Sequence, residues 1–205
     1  MNTNYNLIMK DIVEGLEEGK SPRILLHSCC GPCSTEVIAR LTKYFEITVF
    51  YYNPNIEPQA EYVKRKQEQL KFIKEYIPHN KVDFLDCDYD HDAFLQIAKG
   101  LETEPEGGTR CHRCYELRLE KTAVVAKEKG YDYFGTTLTV SPYKNAQVIN
   151  QIGENLQKKY DIKYLFSDFK KENGYKKSIE YSKTYKLYRQ NYCGCHFSRV
   201  IGIEE

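Results

Sequence analysis

Short apolar runs alternate with amphipathic helical patterns along most of this chain, and this alternation is the feature that most constrains its fold. Apolar runs bounded by turn residues predict strands, whereas apolar residues spaced three and four positions apart predict helices. The predicted strands cover residues 24–26, 47–52, 82–85, 133–140 and 163–166. The predicted helices cover residues 7–19, a stretch after Cys33, 57–76, 92–99, a stretch from Cys111, 147–160 and a final tyrosine-rich stretch. Strands that alternate with helices pair in parallel, so the sequence predicts an α/β fold with helices on both faces of a parallel sheet.

The length of 205 residues predicts a single α/β domain, because a chain of this size can bury one sizeable core. We expect residues 1–20 to form an N-terminal helix and residues 170–205 to form a basic, tyrosine-rich C-terminal helical segment. In that segment, spacings of four, three and four predict one shared helix face for Tyr181, Tyr185, Tyr188 and Tyr192. A tyrosine face of this kind is more often packed than used as a platform for stacked bases, although both would show the same spacing.

Hydropathy excludes a membrane protein and a secreted one. No apolar run approaches the roughly 18 to 20 residues that a membrane helix requires, and residues 1–20 lack the continuous apolar segment of a secretory signal. The sequence therefore predicts a cytoplasmic protein with no membrane partner. In that reducing compartment, eight cysteines are better explained as metal ligands or redox groups than as structural disulfides.

The net charge of +1 hides an uneven distribution of charges along the chain. Residues 83–106 contain eight acidic residues and one basic residue, whereas residues 158–199 contain eleven basic and four acidic residues. The basic region is interpreted either as a surface that binds nucleic acid or as a set of solvated helix faces.

Seven of the eight cysteines fall into three clusters, and only Cys87 stands apart as a small core residue. The clusters are Cys29/Cys30/Cys33, Cys111/Cys114 and Cys193/Cys195. The first cluster lies between a predicted buried strand and a helix, where the helix N-terminus favours thiolate over thiol. Because loops at the carboxyl ends of parallel strands converge on one crevice, the sequence predicts that the clusters meet there.

Four thiolates are sufficient for either a structural zinc ion or an iron–sulfur cluster. Seven clustered cysteines exceed the need of one zinc site, and adjacent cysteines are unlike a zinc knuckle, so the iron–sulfur interpretation is favoured and zinc remains the alternative. The run from Cys30 to Cys33 also spells a thioredoxin-type redox dithiol. Thiol–disulfide exchange and a zinc- or tRNA-binding module without catalysis are therefore the competing functions. A Walker-type phosphate-binding loop is absent from the sequence, so ATP use is not supported.

Four motifs cover the chain from about residue 23 to residue 197. They read LHSCCGPCS from Leu26, RCHRCYELR from Arg110, TTLTVSPYKN from Thr136 and YRQNYCGC from Tyr188. Each motif alone is unspecific, but the four in this order resemble the cobalamin-independent epoxyqueuosine reductases of the QueH type. The resemblance implies a Rossmann-like fold of the HUP class and reduction of the cyclopentane epoxide of a hypermodified tRNA wobble base to the alkene of queuosine.

The resemblance also implies the cofactors. Members of this family are similar in carrying a [4Fe–4S] cluster with a further metal or redox thiol pair beside it, and they use no cobalamin. We expect the cluster ligands to be Cys29, Cys30, Cys111 and Cys114. We expect the catalytic unit to be Cys33, Cys193 and Cys195, which either holds a mononuclear iron or cycles between a dithiol and a disulfide. Some relatives have aspartate at the position of Cys33, which leaves the role of this cysteine open.

Removal of an epoxide oxygen as water consumes two electrons and two protons, and side chains supply only the protons. The electrons are expected from a low-potential donor of the ferredoxin or flavodoxin kind. Candidate proton donors are Asp88, His112 and Tyr143, and candidate phosphate or substrate contacts are Arg110 and Lys144. Candidate tRNA contacts in the basic segment are Lys170, Lys171, Lys176, Lys177 and Arg189.

Overall fold

A computed structural model describes residues 3–198 of the chain, so residues 1–2 and 199–205 of the two expected terminal segments lie outside the described residues. Its sheet has five strands in the order β3-β2-β1-β4-β5, and every strand pair is parallel. The strands are β1 (Arg23–His27), β2 (Glu46–Tyr51), β3 (Val82–Asp86), β4 (Tyr133–Thr136) and β5 (Lys163–Tyr164). The predicted parallel α/β fold is confirmed. The strand order reverses between β1 and β4, and in open α/β sheets ligands bind at that point.

Seven α-helices connect and flank the strands of the described chain. They are α1 (Tyr5–Glu14), α2 (Gly31–Leu41), α3 (Gln59–Glu75), α4 (His91–Ala98), α5 (Thr109–Glu128), α6 (Ala146–Tyr160) and α7 (Gly174–Thr184). The N-cap residues of helices α1, α4 and α6 are Asn4, Asp90 and Asn145. Their side chains accept hydrogen bonds from backbone N–H groups of the first turn. None of the described helices is long and apolar enough to cross a membrane.

The two faces of the sheet bury two separate cores, because successive side chains of a strand point to opposite faces. On one face, Ile24 and Leu26 of β1 pack with apolar residues of α1, α2 and α3. On the other face, Leu25 packs with Phe134 and with apolar residues of α5 and α6. The sheet is therefore covered on both sides, and ligands have access at its edges.

Two predicted elements end earlier than the sequence indicated. The strand predicted over 133–140 stops at Thr136, because the Thr136 hydroxyl accepts a hydrogen bond from the backbone N–H of Leu138 at 3.1 Å and a 3₁₀ turn follows. The prediction of one helix face for four tyrosines is wrong. Helix α7 ends at Thr184, Lys186 adopts a left-handed backbone (φ 49°), and Tyr188 therefore lies outside the helix.

The tyrosines in the last turn of α7 and after it pack against α3 and the loop before it. The rings of Tyr181 and Tyr185 both contact the ring of Tyr76, whereas the hydroxyl of Tyr188 donates to Glu61 at 3.2 Å. The hydroxyl of Tyr192 donates to the carbonyl of Glu57 at 3.1 Å. Aromatic side chains thus attach this segment to α3 and the loop before it. The segment carries Cys193 towards the other cysteines.

We expect Gly153→Ala to destabilise the fold by about 1 to 3 kcal/mol, because a methyl group at this position of α6 overpacks the interface with β5. A Cβ at Gly153 would lie 2.3 Å from Cε1 of the buried Tyr164 ring. Urea unfolding followed by circular dichroism measures the change in the free energy of unfolding. In a Tyr164→Leu background the same substitution should be neutral or stabilising, since the clash is gone. Equal stability of Gly153→Ala and the parent would contradict this packing.

Candidate metal centre and substrate cavity

Three thiols lie together at the turn between β1 and α2. Cys29 and Cys30 follow the last residues of β1, and Cys33 lies in the first turn of the helix. Their sulfur atoms all lie within 4.8 Å of one another, and Cys29 Sγ is 3.8 Å from Cys30 Sγ. Gly31 permits this arrangement, because a Cβ there would lie 2.8 Å from the carbonyl oxygen of Glu68 in α3. Around one tetrahedral ion with metal–sulfur distances of about 2.3 Å, neighbouring sulfurs are about 3.8 Å apart. These thiols therefore have the spacing that a single metal ion requires.

The three thiols differ in acidity. Hydrogen bonds from Cys30 and Cys33 hold the pKa of Cys29 well below its usual range. Burial raises the pKa of Cys30 to about 12, and hydrogen bonds to Cys29 and Cys30 raise that of Cys33. Cys29 is therefore the most acidic of the three thiols, and the helix N-terminus does not lower the pKa of all three. The side-chain N–H of Gln190 donates to Cys30 Sγ at 3.0 Å.

The second cysteine pair begins α5. Cys111 Sγ accepts a hydrogen bond from the backbone N–H of Gly107 at 3.3 Å, and Cys114 is buried one turn further along the helix. Burial raises the pKa of Cys114 to about 12. Arg110 shapes this turn, because its Nη1 donates to three carbonyl oxygens of the preceding loop at 2.7 to 3.1 Å. Arg110, a candidate phosphate or substrate contact, is thus buried and holds the loop through these hydrogen bonds.

The third pair lies in a Cys-Gly-Cys turn that α3 holds in place. The guanidinium of the buried Arg65 donates from Nη1 to the carbonyl of Cys193 at 3.0 Å, and the backbone N–H of Glu57 donates to that of Gly194 at 3.0 Å. Gly194 has φ 136°, a conformation that glycine adopts at little cost, and a Cβ there would lie 2.9 Å from Ile56 Cγ1. Cys195 is buried and packs in one apolar cluster with Cys114.

The three cysteine pairs or clusters surround one region at the carboxyl edge of the sheet. A cavity of about 270 Å³ opens there, and its wall includes Cys29, Cys33 and Cys193. Cys30 lies against Cys29, and Cys114 lies against Cys195. The structure therefore brings Cys33 to Cys29 and Cys30 and also to the cavity that Cys193 lines. All eight cysteines are free thiols, so the structure does not support the predicted disulfide.

A fully buried cation, Arg118, lies among these thiols. Its side chain lines the cavity and is 1% exposed, its Nε donates to the carbonyl of Cys114 at 3.2 Å, and its Nη2 has no hydrogen-bond partner. Burial lowers the pKa of Arg118, but the thiols of Cys114, Cys193 and Cys29 raise it overall. A buried charge with an unpaired donor is costly, so this position requires negative charge in the adjacent site. Arg118 was not predicted from the sequence, although its spacing of four from Cys114 on a helix could have indicated it.

Lys144 is the second cation in the cavity wall. Burial acts to lower the pKa of Lys144, but the thiols of Cys193 and Cys29 raise it overall, so the ammonium group stays charged. Of the three candidate proton donors, Tyr143 lines the cavity, whereas Asp88 and His112 do not.

His27 and Cys87 both lie in the interior rather than in the cavity wall. His27 is completely buried, with Nδ1 3.0 Å from the Thr136 hydroxyl and Nε2 3.1 Å from the carbonyl of Tyr52. Burial lowers the pKa of His27 to about 3, so the ring is neutral and both nitrogens are occupied. Cys87 is a partly buried free thiol that packs at the margin of the second core.

The fold and the cavity together define a Rossmann-like α/β protein with a thiol-rich centre at its topological switch point. A model of the family described as epoxyqueuosine reductase QueH matches residues 24–200. A relative of that name from Staphylococcus epidermidis is 46% identical over 204 residues, covering 96% of this chain and 85% of its own length. Another from Thermotoga maritima is 34% identical over 175 residues, covering 85% and 89%. The chain belongs to the epoxyqueuosine reductase QueH family, which confirms the resemblance found in the four motifs.

One solved structure with a similar fold is that of the U34-tRNA thiolase NcsA from Methanococcus maripaludis with its [4Fe-4S] cluster. The TM-score is 0.51 at 15% identity, and the match covers 94% of this chain and 67% of that one. This likeness supports the Rossmann-like fold of the present chain.

Proposed function

We propose that this protein reduces the epoxide of epoxyqueuosine to the alkene of queuosine at the wobble position of tRNA, and that it does so in the cytoplasm. The observation that carries the proposal is the convergence of the four family motifs on one cavity, which is lined by thiols and cations. The test is an anaerobic assay in which tRNA carrying epoxyqueuosine is incubated with the iron-loaded protein and a low-potential reductant. Digestion and mass spectrometry should show a nucleoside that has lost one oxygen atom. Exchange of a disulfide substrate without change in the nucleoside would support the thiol–disulfide oxidoreductase instead.

The residues at the carboxyl edge of the sheet fit an iron–sulfur cluster. Seven thiols are available, and an iron–sulfur cluster held by thiolates carries the negative charge that the unpaired Nη2 of Arg118 requires. The half-buried Lys144 supplies a further cation. When bound, the cluster would supply the electrons for the reduction. The protein supplies the enclosed site, the compensating charges and the protons.

The thiol geometry offers two divisions of the ligands. The division expected from the sequence assigns Cys29, Cys30, Cys111 and Cys114 to a [4Fe–4S] cluster, and Cys33, Cys193 and Cys195 to a second metal or a redox dithiol. Each iron of a four-iron cluster holds its thiolate at an outer corner, so those thiolates lie farther apart than thiolates around one ion. The close spacing of Cys29, Cys30 and Cys33 also fits a second division, in which they hold the single ion and the cluster lies at Cys111, Cys114, Cys193 and Cys195. Cys111 and Cys114 are cluster ligands in both.

The group that donates a proton to the leaving oxygen is expected on the cavity wall. Tyr143 and Lys144 both line the cavity, and the raised pKa of Lys144 keeps its ammonium group protonated. A proton donor must come within hydrogen-bond distance of the oxygen that leaves. Both side chains are therefore candidates for the proton donor.

The anticodon loop is expected to approach over the basic segment. Tyr175 and Ser178 of α7 line the cavity, and Lys176 lies between them on the exposed side of the helix. Lys171 is also exposed, whereas Lys170 is paired with Asp168 at 2.7 Å. Lys177 lies 3.8 Å from the buried carboxylate of Glu36 in α2, so its charge also serves the packing of α7.

We expect Lys171→Glu combined with Lys176→Glu to weaken tRNA binding and to flatten its salt dependence by about 1 to 2 in the slope of log K against log [salt], because fewer counterions are released. Within residues 3–198 these two lysines form no ion pair with an acidic residue, so the substitution leaves the described ion pair between Lys177 of α7 and Glu36 intact. Filter binding at several salt concentrations measures both quantities. The matched control is Lys43→Glu with Lys129→Glu, the same charge change on exposed residues at the opposite edge of the sheet. Equal salt slopes for the two double variants would show that the basic segment does not bind the RNA.

A further inference from the structure

Tyr143 differs from the other aromatic residues of the cavity because its ring is uncovered. Three tyrosines line the cavity, and the guanidinium of Arg189 lies 5.3 Å from the ring centroid of Tyr175, while that of Arg65 lies 4.8 Å from the ring centroid of Tyr192. Tyr143 is 77% exposed, and within residues 3–198 no other ring or cation is recorded against it. An aromatic ring that lines a cavity and is largely exposed offers a face on which a base can stack.

The backbone that carries Tyr143 is held in place. Its own N–H donates to the hydroxyl of Ser141 at 3.3 Å, and the N–H of Lys144 donates to the carbonyl of Ser141 at 3.3 Å. The next residue, Asn145, caps α6 by accepting hydrogen bonds from Gln147 and Val148. The ring is therefore presented from a loop that is fixed at both ends, which lowers the entropy lost when a ligand binds.

We propose that Tyr143 stacks on a nucleobase next to the wobble nucleotide of the anticodon loop. The inference rests on the proposed function. A wobble nucleoside that enters a cavity of about 270 Å³ must leave the stack of its neighbours, so one face of a neighbouring base loses its partner at the mouth of the cavity. An uncovered aromatic ring replaces that partner without regard to base identity. Lys144 beside it lines the inner wall, so Tyr143 marks the boundary between the inserted nucleoside and the rest of the loop.

The test uses an anticodon stem-loop RNA with guanosine at the wobble position, so that binding is measured without reaction. We expect Tyr143→Ala to weaken binding to the iron-loaded protein at least about fivefold, because aromatic stacking contributes about 1 kcal/mol or more per base. Tyr143→Phe retains the ring and should bind within about twofold of the parent, as a change of only one hydroxyl group leaves stacking intact. The control is Tyr44→Ala, a partly exposed tyrosine after α2 at the opposite edge of the sheet.

A second measurement identifies the base. RNAs with an abasic site on the 5′ or 3′ side of the wobble nucleotide should bind the parent more weakly on one side, and the same abasic site should have no further effect on Tyr143→Ala. If the abasic sites on both sides weaken binding additively with Tyr143→Ala, the inference is overturned. Unchanged binding by Tyr143→Ala would overturn it too. A Phe variant as weak as the Ala variant would assign the effect to the hydroxyl group and overturn it too. If the parent fails to bind the stem-loop, or if the Ala variant binds as well as the parent, this inference falls, whereas the proposed function is decided separately by the epoxide-reduction assay.

Discussion

The Cys114→Ser variant, purified without oxygen, is expected to lose its acid-labile sulfide and most of its iron. Cys114 is buried beside Cys195 and lies one turn from Arg118, so a Ser hydroxyl there would replace a thiolate in the region where the charges are compensated. Serine is a poor ligand for iron–sulfur clusters compared with the thiolate that normally holds them. Iron and sulfide analysis together with the visible absorption spectrum measures the loss.

The matched control is Cys87→Ser, which removes a partly buried thiol outside the three clusters and should leave the iron content unchanged. Circular dichroism of both variants checks that the fold is retained. About one zinc per chain with no acid-labile sulfide in the parent protein would contradict the cluster and support the structural-zinc alternative.

The second large effect is expected from Cys193→Ser, which should abolish epoxide reduction while the cluster spectrum persists. Cys193 lines the cavity with Cys29 and Cys33, and Arg65 holds its carbonyl, so the turn should keep its position when the thiol becomes a hydroxyl. The measurements are turnover of tRNA carrying epoxyqueuosine and the iron and sulfide content of the same sample. Retained turnover would remove Cys193 from the catalytic unit.

The same sample also distinguishes the two ligand divisions. If Cys193→Ser loses sulfide and Cys29→Ser keeps it, the cluster lies at the Cys111/Cys114/Cys193/Cys195 set, and the division expected from the sequence is wrong. The opposite pattern would support the expected set that includes Cys29 and Cys30. Because Cys29 is the thiol whose pKa is lowered, its replacement should disturb metal binding by the Cys29/Cys30/Cys33 group with either division of the ligands.

The sheet and the convergence of the cysteines were predictable because both follow from local signals. Apolar runs that alternate with helical patterns leave few arrangements other than a parallel sheet, and its carboxyl edge is where connecting loops meet. The four motifs added the family. These signals depend on the order of residue types along the chain, so no contact between distant residues had to be known.

The features that escaped prediction depend on contacts between distant segments. The chain leaves α7 after Thr184, which takes Tyr188 out of the predicted tyrosine face. Gln190 reaches Cys30 across 160 residues of sequence, and the unpaired guanidinium nitrogen of Arg118 becomes visible only when its neighbours are known. The contact between Gln190 and Cys30 leaves no spacing pattern in the sequence. The helical spacing of the tyrosines holds only to the end of α7. Beyond it, packing against α3 determines where Tyr188 lies.

The Cys-Gly-Cys turn has a consequence for how the protein acquires its metal. The turn is held by hydrogen bonds from Arg65 and Glu57, which lie more than a hundred residues earlier in the chain, so the complete set of thiols exists only after these long-range contacts have formed. A nascent chain that exposes the first three cysteines offers a site for one ion but has no place for a cluster. We therefore expect iron and sulfide to be incorporated after the chain has folded, since only the folded protein presents all three groups of thiols together.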